Sequence, residues 1–195
     1  MTDMTPLCEL SRKHETDKGG QHSIGGAAEH CHEYTPIYDK LLGDDRKNVT
    51  HVLEIGINTG RSLRMWAEYF PFAQIVGIDN KPECCVYNEE RITCLQADQG
   101  SPASLYAALD MLPPSAPKFE LIVDDGSHDP GHQIISMKAL LPLLAPGGVY
   151  VIEDIGGNPL QIAGHVPEGF VWDVPPTPGG RGCGEHEQLL VVTHV

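Results

Sequence analysis

The sequence predicts an α/β protein built on a Rossmann-like, mostly parallel sheet with helices on both faces. Three observations predict it. Apolar runs of strand length alternate with helical patterns through the middle of the chain. The first run, His51 to Ile55, stops at a glycine turn that opens a helical pattern (Leu63, Met65, Trp66, Tyr69, Phe70). Four runs end in acidic residues, at Asp79, Asp98, Asp124-Asp125 and Glu153-Asp154. Ligands of open α/β sheets bind at those carboxyl ends.

The 195 residues read as a single domain, 1–195, with residues 1–45 as an N-terminal helical or lid arm. The arm begins polar and turns amphipathic. Tyr34, Ile37, Tyr38 and Leu41 recur at helical spacing after a Thr35-Pro36 start, and Tyr38 is expected to pack as core. Residues 13–20 are too polar for core. Residues 13–34 are therefore expected to be a mobile arm that closes over a ligand.

In the first βα unit the glycines stand four apart, as Glu54-x-Gly56-x-x-x-Gly60. That spacing departs from the dinucleotide pattern Gly-x-Gly-x-x-Gly. Glycine lets backbone approach a ligand closely, and Gly56 and Gly60 are expected to make that space. The second strand is residues 74–79. Its terminal Asp79 is placed to accept hydrogen bonds from ribose hydroxyls. The third is 91–98, followed by a helix over 101–112 closed by Pro113-Pro114. The fourth is 119–125. Asp129 then caps a helix that starts at Pro130 and runs to Leu144. Residues 145–148 turn into the fifth strand, 149–154. Residues 170–172 and 189–195 read as two late strands.

Composition narrows the function. A net charge of −14 with no Lys/Arg cluster argues against nucleic acid. No stretch is long and apolar enough to span a membrane. The first residues, with Asp3, Glu9, Arg12 and Lys13, lack the apolar core of a signal peptide, so a cytoplasmic location is expected. The six cysteines contain no Cys-x-x-Cys pair and read as free thiols. His30-Cys31-His32 with His22, and the segment Cys183 to His186, hint weakly at soft-metal binding, because adjacent ligands do not converge easily on one ion.

These parts, with Leu144-Ala145-Pro146-Gly147-Gly148 before the fifth strand, resemble a class I S-adenosylmethionine-dependent methyltransferase. More narrowly, the chain resembles the metal-dependent sugar O-methyltransferases of the macrocin and mycinamicin type. Three segments carry that match: Thr16-Asp17-Lys18 with His32 and Tyr34; Val123-Asp124-Asp125-Gly126-Ser127-His128; and Ile152-Glu153-Asp154. The resemblance implies a seven-stranded sheet finished by a C-terminal antiparallel hairpin. It implies S-adenosylmethionine held by Thr16, Asp17, Lys18, Glu54, Gly56, Asn58, Gly60, Ser62, Asp79, Asp98 and Asp124. Within that set the 54–60 turn would take the methionine part, Asp79 the ribose, and Asp98 the edge of the adenine. A divalent cation, Mg²⁺ foremost, would sit on Asp125, Glu153 and Asp154. His128 would be the catalytic base.

The residues themselves support such a site. Adjacent parallel strands joined by one helix bring Asp125 together with Glu153 and Asp154. With no basic partner nearby in sequence, these acids would repel one another. A hard cation removes that penalty, and oxygen ligands suit Mg²⁺, Mn²⁺ or Ca²⁺ better than zinc. His128 follows at the turn into the next helix, and imidazole is suited to taking a proton near neutral pH. The expected partner is a hydroxylated small molecule, foremost a glycoside, and a homo-oligomer is compatible with the sequence. Three other readings are a catechol-type O-methyltransferase, which an aromatic-lined pocket would favour; an NAD-dependent dehydrogenase, which the glycine spacing disfavours; and a non-catalytic S-adenosylmethionine-binding protein.

Overall fold

The computed structural model describes residues 4–19, 32–113, 118–177 and 188–195. The soft-metal hints at His22, His30, Cys31 and Cys183–His186 lie outside them. Cys8, Cys84, Cys85 and Cys94 are free thiols.

The elements run in this order: α1 Pro6–His14, α2 Thr35–Leu42, β1 His51–Ile55, α3 Arg61–Tyr69, β2 Gln74–Asp79, β3 Ile92–Gln96, α4 Pro102–Leu109, β4 Phe119–Asp124, α5 Pro130–Leu140, β5 Leu144–Ile152, α6 Leu160–Ala163, β6 Phe170–Asp173 and β7 Leu190–His194. The seven strands form one sheet in the order β3-β2-β1-β4-β5-β7-β6. Strands β1 to β5 are parallel. Strand β7 runs antiparallel to both β5 and β6, which makes the expected C-terminal hairpin.

Side chains alternate between the faces of a pleated strand, so a sheet covered on both sides reads as a continuous apolar run. Val52, Ile75, Leu121, Val123, Val149, Val151 and Val191 face a core shared with Leu7, Tyr38, Leu63 and Trp66 of α1, α2 and α3. Leu53, Val76, Ile122, Tyr150, Ile152 and Leu190 face the opposite core, with Leu105, Met137, Leu140 and Ile162 of α4, α5 and α6.

Several boundaries differ from expectation. Within the N-terminal helical arm, the bounds of α1 were not anticipated. Thr5 caps it by accepting the Cys8 N–H, and Pro6 fills the first turn. Its one buried apolar residue, Leu7, is too little periodicity to read. Helix α5 ends at Leu140 rather than Leu144, and a 3₁₀ turn over Leu141–Leu143 follows. Strand β5 begins at Leu144, before the glycine turn, and the register against β4 shifts between Phe119 and Leu121 to absorb it. The cap at Asp129 stands where the sequence puts it, whereas Ser101, expected within a helix over 101–112, caps α4, which ends at Leu109.

The order reverses between β1 and β4: β1 is followed by β2 on one side, whereas β4 lies on the other. A crevice opens at such a point, outside the carboxyl ends of the strands. The turn after β1, the loop after β4 and the acids after β5 all face it.

Candidate active site

The cleft at this crevice has a volume of about 780 Å³, within the range of small-molecule sites. Residues 15–18, the turn after β1, Asp79, Asp98, Asp125 to His128, Glu153 and Asp154 line it.

The turn after β1 is built by backbone needs. Gly56 has φ +97°, and a Cβ there would meet the Asp125 carbonyl oxygen at 2.0 Å. Gly60 has φ +68°, and a Cβ there would meet the Tyr87 ring at 2.7 Å. Both glycines thus clear space for protein neighbours. Gly56 also lines the cleft, as do Asn58 and Ser62; Gly60 and Glu54 do not. Asp79 straps the turn. One of its carboxylate oxygens accepts the Ile57 and Asn58 N–H groups at 3.0 and 3.2 Å, and the other accepts that of Lys81 at 2.9 Å.

Glu54 is fully buried. Ser62 Oγ donates to it at 2.8 Å, and Lys18 Nζ lies 3.2 Å away. Burial raises its pKa. Asp98 accepts the Gly100 N–H at 2.8 Å at the other end of the cleft. Asp124, expected to bind cofactor, instead points away from the cleft. It is fully buried and accepts hydrogen bonds from Gln99 at 2.6 Å, from Ser136, and from Tyr150 at 3.2 Å. Burial pushes its pKa up to about 6 against those donors.

The acids at the ends of β4 and β5 do have a basic partner, contrary to expectation. It is Lys18, whose side chain is 2% exposed. Its ammonium donates to Asp125 Oδ2 at 2.5 Å and to Glu153 Oε2 at 2.6 Å. Burial favours the neutral amine, but the charges of Asp125, Glu153 and Glu54 outweigh it, and the pKa of Lys18 stands above the usual lysine value. The segment that carries it is held by backbone: the Tyr34 and Thr35 N–H groups donate to the Lys18 carbonyl at 2.9 and 3.1 Å, and Ser11 Oγ donates to the Thr16 carbonyl. Thr16 and Lys18 are buried. Within the described part of the expected mobile arm, Thr16 and Lys18 are therefore packed into the fold, whereas Lys13, Glu15 and Asp17 stay exposed. The buried charge is matched by acids rather than by water.

Two tyrosines one helical turn apart, Tyr34 at the start of α2 and Tyr38 within it, reach the acid pair after β5. Tyr34 OH donates to Asp154 Oδ1 at 2.6 Å, and Tyr38 OH to Glu153 Oε1 at 2.5 Å. Tyr38 is core, as expected, but its hydroxyl serves the site. His32 Nδ1 lies 3.3 Å from Asp154 Oδ1. Glu153, expected on a cation, lines the cleft and accepts from Lys18 at one oxygen and from Tyr38 at the other, and burial raises its pKa. The group whose ligand atoms converge is Asp125, His128 and Asp154, all within 4.8 Å of one another. His128 and Asp154 both hold positive φ, 56° and 52°. That conformation is costly for residues with a side chain and tends to gather at functional sites.

The profile of the methyltransferase domain matches residues 53–155, more than half of the chain. The chain belongs to the methyltransferase-domain family. Among curated relatives, this methyltransferase-domain chain is 38% identical over 156 residues to mycinamicin VI 2''-O-methyltransferase of Micromonospora griseorubida, covering 76% of the chain and 36% of the relative. It is 33% identical over 160 residues to an 8-demethyl-8-alpha-L-rhamnosyl tetracenomycin-C 2'-O-methyltransferase of Streptomyces olivaceus, covering 78% and 38%. Among solved structures, it resembles the MycE methyltransferase of the mycinamycin pathway in complex with Mg, SAH and mycinamycin VI. The TM-score is 0.74 at 29% identity, over 99% of this chain and 55% of that one. The chain therefore spans a little over a third of the length of these curated relatives.

The sequence reading missed Tyr38 as a site residue and did not see Gln99 and Gln133. Gln99 holds Asp124 with Nε2 and accepts the Ser127 N–H with Oε1. Gln133 donates to the Glu153 carbonyl at 3.0 Å. Only the four-residue spacing of the tyrosines was available as a signal.

Proposed function

We propose that this domain catalyses S-adenosylmethionine-dependent, divalent-cation-dependent O-methylation of a hydroxyl on a small molecule, foremost a sugar hydroxyl of a glycoside. The observation that carries the reading is the convergence of Asp125, Asp154 and His128 at one wall of a cleft that reaches Asp79 and Asp98. Relatives named for sugar O-methyl transfer, and one solved with Mg and SAH, support it. We read the described residues as one such domain, acting in the cytoplasm without nucleic acid. Among the described residues no helix is long and apolar enough to cross a membrane.

The donor set fits a hard cation. Two partly exposed carboxylates, with an imidazole beside them, offer oxygen ligands and leave room for the acceptor. Asp125 and Asp154 would hold the ion, which when bound acidifies and orients an acceptor hydroxyl. Asn58, Ser62, Thr16 and Asp17 would line the amino-acid part of the methyl donor, Asp79 its ribose and Asp98 its adenine. His128 Nε2, 4.0 Å from Asp125 Oδ1, would take the hydroxyl proton as the oxygen attacks the methyl group. Asp125 would stabilise the imidazolium that results. The catechol-type alternative is not favoured, because none of the described lining residues is Phe, Tyr or Trp.

The test is methyl transfer from labelled S-adenosylmethionine to a panel of glycosides, with Mg²⁺ and with excess EDTA. Transfer that stops with EDTA and returns with Mg²⁺ supports the reading. Full transfer in EDTA removes the cation, and binding of NAD in place of S-adenosylmethionine removes the reaction class.

A further inference from the structure

The ring of His128 lines the cleft, yet little packs against it. The side chain is 42% exposed, and Nε2 stands 4.0 Å from Asp125 Oδ1, beyond hydrogen-bond reach. Its direction is therefore set by backbone, which holds φ at 56°. Such a conformation persists where the surroundings over-determine it. On the C-terminal side Asp129 caps α5, and its N–H donates to Ser127 Oγ at 3.3 Å. On the N-terminal side stands Gln99, which follows Asp98 in the loop after β3 and is 6% exposed. Gln99 Oε1 accepts the Ser127 N–H at 2.9 Å. A Cβ on Gly126 would overlap that same oxygen, so the loop lies directly against the amide. Asp124 turns the other end of the amide: Gln99 Nε2 donates to its Oδ1 at 2.6 Å. A carboxylate only accepts, so it selects the amide N–H₂ and leaves Oε1 to the loop.

We propose that Gln99 is a positioning residue that aims His128 at the acceptor by pinning the Ser127 N–H. This rests on the reading of His128 as the base. Proton transfer is sensitive to placement, and an error of about 1 Å costs on the order of 100-fold in rate. A base can be held by contacts to its ring, but each such contact occupies a ring nitrogen. Here the backbone is held instead, and both nitrogens stay available. The hold reaches inward from the loop through Gln99 to Asp124, which Ser136 and Tyr150 fix in the core. The neighbouring Asp98 lies at the adenine end in the reading above, so one two-residue segment serves both ends of the cleft. Gln99 moves no proton in this role; it acts through the backbone of Ser127.

The test pairs Gln99→Met, which keeps the bulk and removes the amide, with Gly126→Ala, which presses a Cβ onto Oε1 from the loop side. Both are made in the full chain and checked for folding by circular dichroism. Without any acceptor, exchange of the Ser127 amide, read by NMR, should quicken by roughly tenfold or more in both. Affinity for S-adenosylhomocysteine, read by calorimetry, should stay within about threefold. With an acceptor from the glycoside panel, kcat should fall roughly 10–100-fold at little-changed acceptor KM. Adding Gln99→Met to His128→Ala should cost less than about threefold more, because an absent base cannot be misaimed. Ser136→Ala is the comparison for a merely structural role. It removes one donor from Asp124 while Tyr150 and the bond between Gln99 and Ser127 remain, so its kcat should stay within about threefold of wild type. Full kcat in folded Gln99→Met overturns the proposal, as does an additive loss in the double variant. A tenfold loss of S-adenosylhomocysteine affinity also overturns it, since Gln99 would then be a donor ligand. If Gln99→Met does not fold, Gly126→Ala decides; if neither folds, a wild-type Ser127 amide that exchanges as freely as an unstructured one overturns the proposal, and a protected one sustains it. Full turnover in His128→Ala overturns the base reading itself, whichever way Gln99 behaves.

Discussion

Lys18 Nζ lies 2.5 Å from Asp125 Oδ2, across 107 residues of sequence. An acid that we assign to the cation is therefore held from outside the sheet. Asp125→Ala should weaken Mg²⁺ binding by at least roughly 10–100-fold and lower methyl transfer with it. Partial rescue at high Mg²⁺ is expected, because Asp154 remains. Titration with Mg²⁺ under turnover checks this; a loss of transfer at unchanged cation affinity would reassign Asp125.

His128→Ala should leave cofactor and cation affinity near wild type and lower turnover by roughly 10²–10⁴-fold. Raising the pH should recover part of that loss, since more of the acceptor hydroxyl then ionises unaided. The measurement is a kcat profile beside a Mn²⁺ titration. Lost Mn²⁺ affinity would make His128 a ligand rather than a base.

Gly56→Ala should destabilise the fold rather than merely block a ligand. The added Cβ would sit 2.0 Å from the Asp125 carbonyl at a φ of +97°. The strain and the clash together should cost roughly 2–4 kcal/mol. Urea unfolding checks it, and an unchanged midpoint would contradict the geometry.

Asp124→Asn should cost roughly 1–3 kcal/mol, because an amide N–H₂ would face the Ser136 and Tyr150 hydroxyls that now donate to a carboxylate. The effect should depend on pH. Asp124 has its pKa raised to about 6 in the folded state from an ordinary 3.8. Its contribution is therefore fully present below the unfolded value and lost as pH rises through the folded one. The gap between variant and wild type should be wider at pH 4.5 than at pH 7.5. Thermal melts at both values measure it, and a gap that widens with pH would refute the assignment.

Most of the fold was legible because both faces of the sheet are covered. Runs such as Leu121-Ile122-Val123 are apolar throughout, and the acids that end them mark the ligand edge. The turn after β1 was legible in position but not in cause: Gly56 answers to the Asp125 carbonyl, a contact that exists only once β4 lies beside β1. Lys18 was legible as a site residue but not as the partner of Glu153, because a polar segment looks like an arm until the acids that neutralise it are in place. Asp124 and Asp125 are adjacent in sequence and have opposite fates, one enclosed by Gln99, Ser136 and Tyr150 and the other open to the cleft. Strand alternation separates them, and residue type alone cannot.

The bond between Lys18 and Glu153 spans 135 residues, which bears on how the protein is made. A ribosome adds ~5–20 residues per second, so Lys18 emerges roughly 7–27 s before its partner does. Over that interval the nascent chain can form α1 and α3 and pair β1 with β2, yet Lys18 and Tyr38 still lack Glu153. Closure of that end of the sheet thus waits for β5, and chains that stall before residue 153 leave it open to proteases and chaperones.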